Sequence, residues 1–160
     1  MWKSFLLDLW SRLVTPWSKP PFLFFFIINI VICGSAGVLI TLRNYLFITD
    51  YPLLNIPKAL GTYFIAILAT SAADLSLKDN KFPKSSSLLS YLILVIGFIL
   101  ILLTFLFTSN AAFITSGIGT ILAYLVWIIA NSKDSKFEEK TYDTVIREDS
   151  KRKKIGKNWN

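Results

Sequence analysis

The chain has 160 residues, 54% of them hydrophobic, and a formal net charge of +7. That is too apolar for an ordinary soluble domain of this length. With no histidine and one cysteine, Cys33, the composition excludes a Cys/His zinc site, an intrachain disulfide and histidine acid–base catalysis.

The first element covers residues 2–14. Trp2, Phe5, Leu6, Leu9, Trp10, Leu13 and Val14 recur at helical spacing on one face, and Lys3, Ser4, Asp8, Ser11 and Arg12 take the other. This predicts an amphipathic interfacial helix on the cytoplasmic leaflet, ended by Pro16 and by Pro20-Pro21. Trp2, Trp10 and Trp17 suit the headgroup level. Such a helix either senses the membrane or simply anchors and orients the first span. Residues 1–20 form this unit, 21–131 the membrane domain and 132–160 a polar tail.

Four apolar runs lie beyond it, at about 22–42, 59–77, 88–107 and 111–130. Each is close to the roughly 20 residues that an α-helix needs to cross a bilayer core. In the first, Asn29, Cys33, Ala36, Gly37 and Thr41 share a face. The connection at 45–56 is apolar and tyrosine-bearing, and Asn55 and Pro57 read as N-cap and first turn of the second span. That span carries a small stripe, Ala59, Thr62, Ala66, Ala69, Thr70 and Ala73. A polar turn at 78–86 precedes the third span, with the serines at 85–87 as candidate caps. Ser90, Gly97 and Thr104 recur there every seven residues. Ser109-Asn110 makes a tight turn into the fourth span, whose stripe is Ala112, Ser116, Gly119, Thr120, Ala123 and Ala130.

Lipid tails are as apolar as leucine, so transmembrane helices associate by close packing and interhelical hydrogen bonds. The small stripes therefore predict an all-α, four-helix transmembrane bundle with these faces inward and the bulky residues toward lipid. Alternatively, Asn29, Thr41, Ser90, Thr104, Ser116 and Thr120 line a polar path. Hydroxyls on such helices commonly bond the carbonyl one turn back, whereas Asn29 needs a partner within or between subunits.

Asp74 is the acidic residue within a span. Lys78 lies at i+4, the favourable orientation for a pair. The two form either an interfacial ion pair that fixes the end of the span or a site for an ion or proton. In the tail, Phe137, Tyr142, Val145 and Ile146 allow a short helix. The cluster Lys151, Arg152, Lys153 and Lys154 either is a solvated signal that keeps the tail on the cytoplasmic side or binds anionic lipid, nucleic acid or a soluble protein partner, with Ile155 and Trp159 as anchors for a partner. Of these, direct nucleic-acid binding is not expected.

Lysine and arginine set the topology. The N-terminal segment holds Lys3, Arg12 and Lys19, the second connection Lys78, Lys81 and Lys84, and the tail nine more. The first connection has only Arg43 and Lys58, and the third has none. The positive-inside rule then places both termini in the cytoplasm.

No enzyme and no cofactor are expected. There is no Ser-His or Cys-His set, and Gly34-Ser35-Ala36-Gly37 and Gly117-Ile118-Gly119 are too short and too apolar in context for phosphate loops. Two readings remain: a homo-oligomeric anchor or scaffold that recruits a cytoplasmic protein, or an oligomeric pore that permeabilises the membrane on a trigger. In span count, short loops and lack of an enzyme site, the chain resembles the small four-span membrane subunits of bacterial phage-defence systems, of the Kiwa or Rex membrane-component type. The resemblance is one of architecture, without a diagnostic motif. It implies a bacterial inner membrane and a two-component arrangement in which a soluble partner carries the chemistry.

Overall fold

The computed structural model describes residues 2–78, 83–108 and 110–133, and all regular structure among them is helical. Helix α1, Trp2–Val14, passes into a 3-10 turn at Thr15–Ser18. Helix α2 then runs Pro20–Cys33, at 91° to the segment before it. Proline explains this elbow. It lacks the N–H that an interior position needs but is tolerated in the first turn, so Pro16 and Pro20 each open a helical segment.

Helix α2 is α-helical to Phe25 and π-helical over Phe26–Cys33. Gly34-Ser35 separates it from α3, Ala36–Phe47. The first apolar run is thus two helices rather than one. Phe26 of α2 lies against Trp127 near the end of α6, and α3 packs on α4; by length and composition, the segment before the elbow and α2 together also qualify as one broken span. The turn after α3 holds Asp50 at φ 64, in the left-handed region that aspartate tolerates better than most residues.

The other helices are α4, Asn55–Lys78, α5, Pro83–Leu106, and α6, Asn110–Asn131. Each is long and apolar enough to cross a membrane. At 1.5 Å per residue they span about 33–36 Å. Helix α5 starts earlier than the serine-cap expectation. Pro83 opens it, so Ser85, Ser86 and Ser87 lie inside the first turns, where Ser87 meets Ser76 of α4 at 3.1 Å. The outward faces of α5 and α6 are bulky, with Phe98 59% and Ile121 62% exposed among many others. A soluble monomer does not present such a continuous apolar surface, and three helices of this length and apolarity are consistent with a multi-pass membrane protein.

Helix α4 is the hub, packed on α3, α5 and α6. Its large side chains enter glycine notches on its neighbours. Leu68 occupies the space that a Cβ at Gly97 would need, and a Cβ at Gly119 would come within 2.6 Å of the Phe64 ring. Phe64 and Leu68 are fully buried, with Ile93, Ala123 and Val126 around them. Ser90, Gly97 and Thr104 of α5, and Ala112, Ser116, Gly119 and Ala123 of α6, are buried in the bundle.

Gly117, on the same helix as Gly119, has nothing within 4 Å of a built Cβ. Gly119→Ala should therefore cost about 1–3 kcal/mol by overpacking a rigid ring, while Gly117→Ala stays near neutral. Thermal unfolding of the purified protein in detergent checks this. Equal midpoints for the two variants would count against the notch.

Candidate functional site

Three features stand out from the generic packing. The first is the elbow end, where α1 meets the last turn of α6. Phe5 is buried there, and Asp8 pairs with Arg12 at 2.7 Å and with Lys133 at 2.9 Å. The side chains of Asp8 and Arg12 are 8% and 6% exposed, that of Lys133 53%. The expected division of α1 into an apolar and a polar face therefore needs correction: Asp8 and Arg12 turn toward the protein. They can do so because the i,i+4 pair and Lys133 compensate the buried carboxylate. Leu6, Leu7, Trp10 and Val14 remain exposed, at the spacing of one helical face. An aromatic cluster stiffens the elbow: Trp17 stands edge-on to Phe26 at 5.7 Å, and Trp127 stacks on Phe25 at 5.9 Å.

The second feature is a polar knot inside the bundle. The Tyr63 hydroxyl of α4 donates to the Ile30 carbonyl of α2 and lies 3.0 Å from the Tyr124 hydroxyl of α6. The π-helical segment makes this acceptor available. Gly34 N–H bonds the Asn29 carbonyl, five residues back, instead of that of Ile30. Gly34 is also the residue that lets the ring in, since a Cβ there would stand 2.9 Å from Tyr63 Cε2. Sequence pattern marks Gly34 only as part of a phosphate motif that fails, and it does not single out Tyr63 or Tyr124. A tyrosine in mid-span is the signal that could have found the knot, because a buried phenol needs a partner for its hydroxyl.

The third is the outward face of α4. Thr62, Ala66, Ala69, Thr70 and Ala73 are all exposed. This corrects the expectation that the stripe turns inward. Tyr63, Phe64, Leu68 and Leu75 occupy the inner face instead, because only large side chains reach the notches at Gly97 and Gly119. The face of the first span is outward as well, with Asn29, Cys33, Ala36 and Gly37 exposed and Thr41 half-buried. The Asn29 side chain has no hydrogen-bond partner among the described residues.

The span hydroxyls bond largely to their own helices. Thr41 donates to the Gly37 carbonyl, Thr70 to Ala66 and Thr120 to Ser116. Thr104 and Thr115 add a link between α5 and α6 at 2.9 Å. Asp74 is half-buried in the last turn of α4. The side chains of Trp2 and Lys78, and all of Lys151, Arg152, Lys153, Lys154, Ile155 and Trp159, lie outside the described residues.

No protein-family model, no curated protein and no solved structure matches the chain.

The knot predicts a thermodynamic coupling. Tyr63→Phe should destabilise the protein by about 1 kcal/mol, within the range of interhelical hydrogen bonds, and Gly34→Ala by more, because its Cβ would stand 2.5 Å from the accepting Ile30 carbonyl as well as against the Tyr63 ring. The double variant should cost clearly less than their sum, since both break the same contact. Unfolding titrations in mixed micelles measure the cycle, and strict additivity would contradict the coupling.

Proposed function

We propose that the chain is a non-enzymatic integral membrane subunit that assembles with copies of itself and presents a cytoplasmic end to a soluble partner. The membrane is crossed four times, by α2 with α3 and by α4, α5 and α6, with both termini cytoplasmic. The observation that carries the reading is the contrast between outward faces. Helices α5 and α6 present isoleucine, leucine and phenylalanine, which suit lipid, whereas α4 presents alanine and threonine from Thr62 to Ala73, with a bulky residue, Leu77, only in its last turn. In lipid, small residues gain by letting another backbone approach closely. Exposed Asn29 adds a polar group within a span that calls for an intersubunit partner.

An anchor of this kind fits the membrane component of a two-part bacterial phage-defence system, in which the soluble partner holds the catalytic groups. The partner's surface is the end where α1 meets the last turn of α6, with the basic cluster of the C-terminal sequence, outside the described residues, as a second element of recognition. Among the described residues, Phe64, Leu68 and Val126 fill the interior of the bundle. The competing pore would have to form between copies.

Replacing Ala66 and Ala69 together by leucine should shift the protein from oligomer to monomer, read by single-molecule photobleaching in bilayers. Unchanged stoichiometry would contradict self-association through α4. Steady ion flux from wild-type protein alone in liposomes would replace the anchor by the pore.

A further inference from the structure

The elbow encloses a cleft of about 120 Å³ lined by Ser11, Arg12, Thr15, Lys19, Ser132 and Lys133. Three cations and three hydroxyls face it. Asp8, the acid that compensates them among the described residues, is nearly buried and shared between Arg12 and Lys133. Lys19 forms no ion pair among the described residues. The space exceeds the roughly 30 Å³ of one water molecule and takes a tetrahedral oxyanion. Arginine, lysine and hydroxyl donors are the groups that hold phosphate.

A second, apolar cavity of about 370 Å³ is lined by Trp17, Leu23, Phe24 and Ile27 together with Ser18 and Pro20, the two residues that flank Lys19 in the chain. From Pro20 onward its residues run along one helical face down α2. A positively charged cleft and an apolar cavity thus meet along the chain at Ser18-Lys19-Pro20, a pairing that suits the head and chain of a phospholipid. The elbow is stiff before any ligand arrives: Trp17 stands edge-on to Phe22 and Phe26, and Trp127 packs on both of those rings.

We infer that the elbow binds one anionic diacyl phospholipid, its phosphate held by Lys19 and Lys133 over the Asp8–Arg12 pair and an acyl chain laid along Leu23, Phe24 and Ile27. The inference rests on the reading that the chain is embedded in a membrane. Phosphate is the chemistry shared by a headgroup and the free ion, and the apolar cavity assigns it to the lipid. A bound lipid at this point would join α1 to the end of α6 and set the angle at which the amphipathic helix lies on the bilayer.

Native mass spectrometry of the full chain in detergent tests this with three probes: phosphatidylglycerol, phosphatidylcholine and inorganic phosphate. Phosphatidylglycerol should be retained, with phosphatidylcholine and inorganic phosphate much weaker. Lys19→Gln should weaken phosphatidylglycerol binding about fivefold, the effect of roughly one lysine at an anionic surface. Lys84→Gln, on an exposed lysine at the start of α5, should leave it unchanged. Equal losses in both variants would overturn the site in favour of diffuse surface charge. Retention of inorganic phosphate as strong as that of phosphatidylglycerol would overturn the lipid assignment. Lys133→Gln loosens Asp8 as well, so Lys19→Gln is the deciding variant. A chain that stays in solution without detergent would sink the membrane reading, whereas a detergent-dependent chain with no preference for phosphatidylglycerol would sink the lipid site alone.

Discussion

The packing of Phe64 against Gly119, with Leu68 against Gly97, is the constraint on which the remaining architecture depends. In a bilayer an apolar side chain gains little by leaving lipid for protein, so helices hold together where their surfaces interlock. A flat pairing of leucine faces would do little. Two large side chains from α4, seated where α5 and α6 have no Cβ, bring three helices within close reach of one another. Once α4 has committed its bulky face inward, its outward face is fixed as well, and that face is alanine and threonine. The hub and the surface proposed for self-association are therefore two sides of one choice of helix rotation.

Hydrogen bonds between helices then set register at three levels. Ser76 with Ser87 ties α4 to α5, and Thr104 with Thr115 ties α5 to α6. The Tyr63 knot ties α4 to α2 and to α6. The knot also accounts for an irregularity that would otherwise be a defect. A π-helical stretch gives up regular α-helical bonding, but here a carbonyl left aside by it is taken by a phenol from another helix. Gly34 serves that contact through its missing side chain, not through flexibility, since it sits at an ordinary negative φ of −64.

Composition and hydrophobic run length made the helical class, the number of apolar runs and their approximate limits legible, because a bilayer demands long runs and their ends are punctuated by Pro20, Asn55, Pro83 and Asn110. The seven-residue repeat of Ser90, Gly97 and Thr104 marked a buried face of α5. Helix rotation was less legible. A small stripe marks where a backbone comes close to something, and on α4 the sequence does not say whether that is the same chain or another. The docking of α1 was hidden for a different reason. Asp8 and Arg12 look solvent-facing in sequence, and their burial is compensated by their own pair and by the distant Lys133, which the fold brings next to Asp8. The Tyr63–Ile30 contact was hidden too, since a main-chain acceptor freed by a π turn leaves no mark in side-chain patterning.

The rotation of α4, bulky side in and small side toward another copy, is the central claim. A cysteine cross-linking scan from 66 to 73 in membranes, on a Cys33→Ser background, reads that rotation directly. Disulfide-linked dimers should form at Ala66, Ala69, Thr70 and Ala73 and be absent at Ile67, Leu68, Ser71 and Ala72. Cross-links at the second set, or dimers formed only from cysteines placed on the outer face of α5 such as Val95 and Phe98, would contradict it.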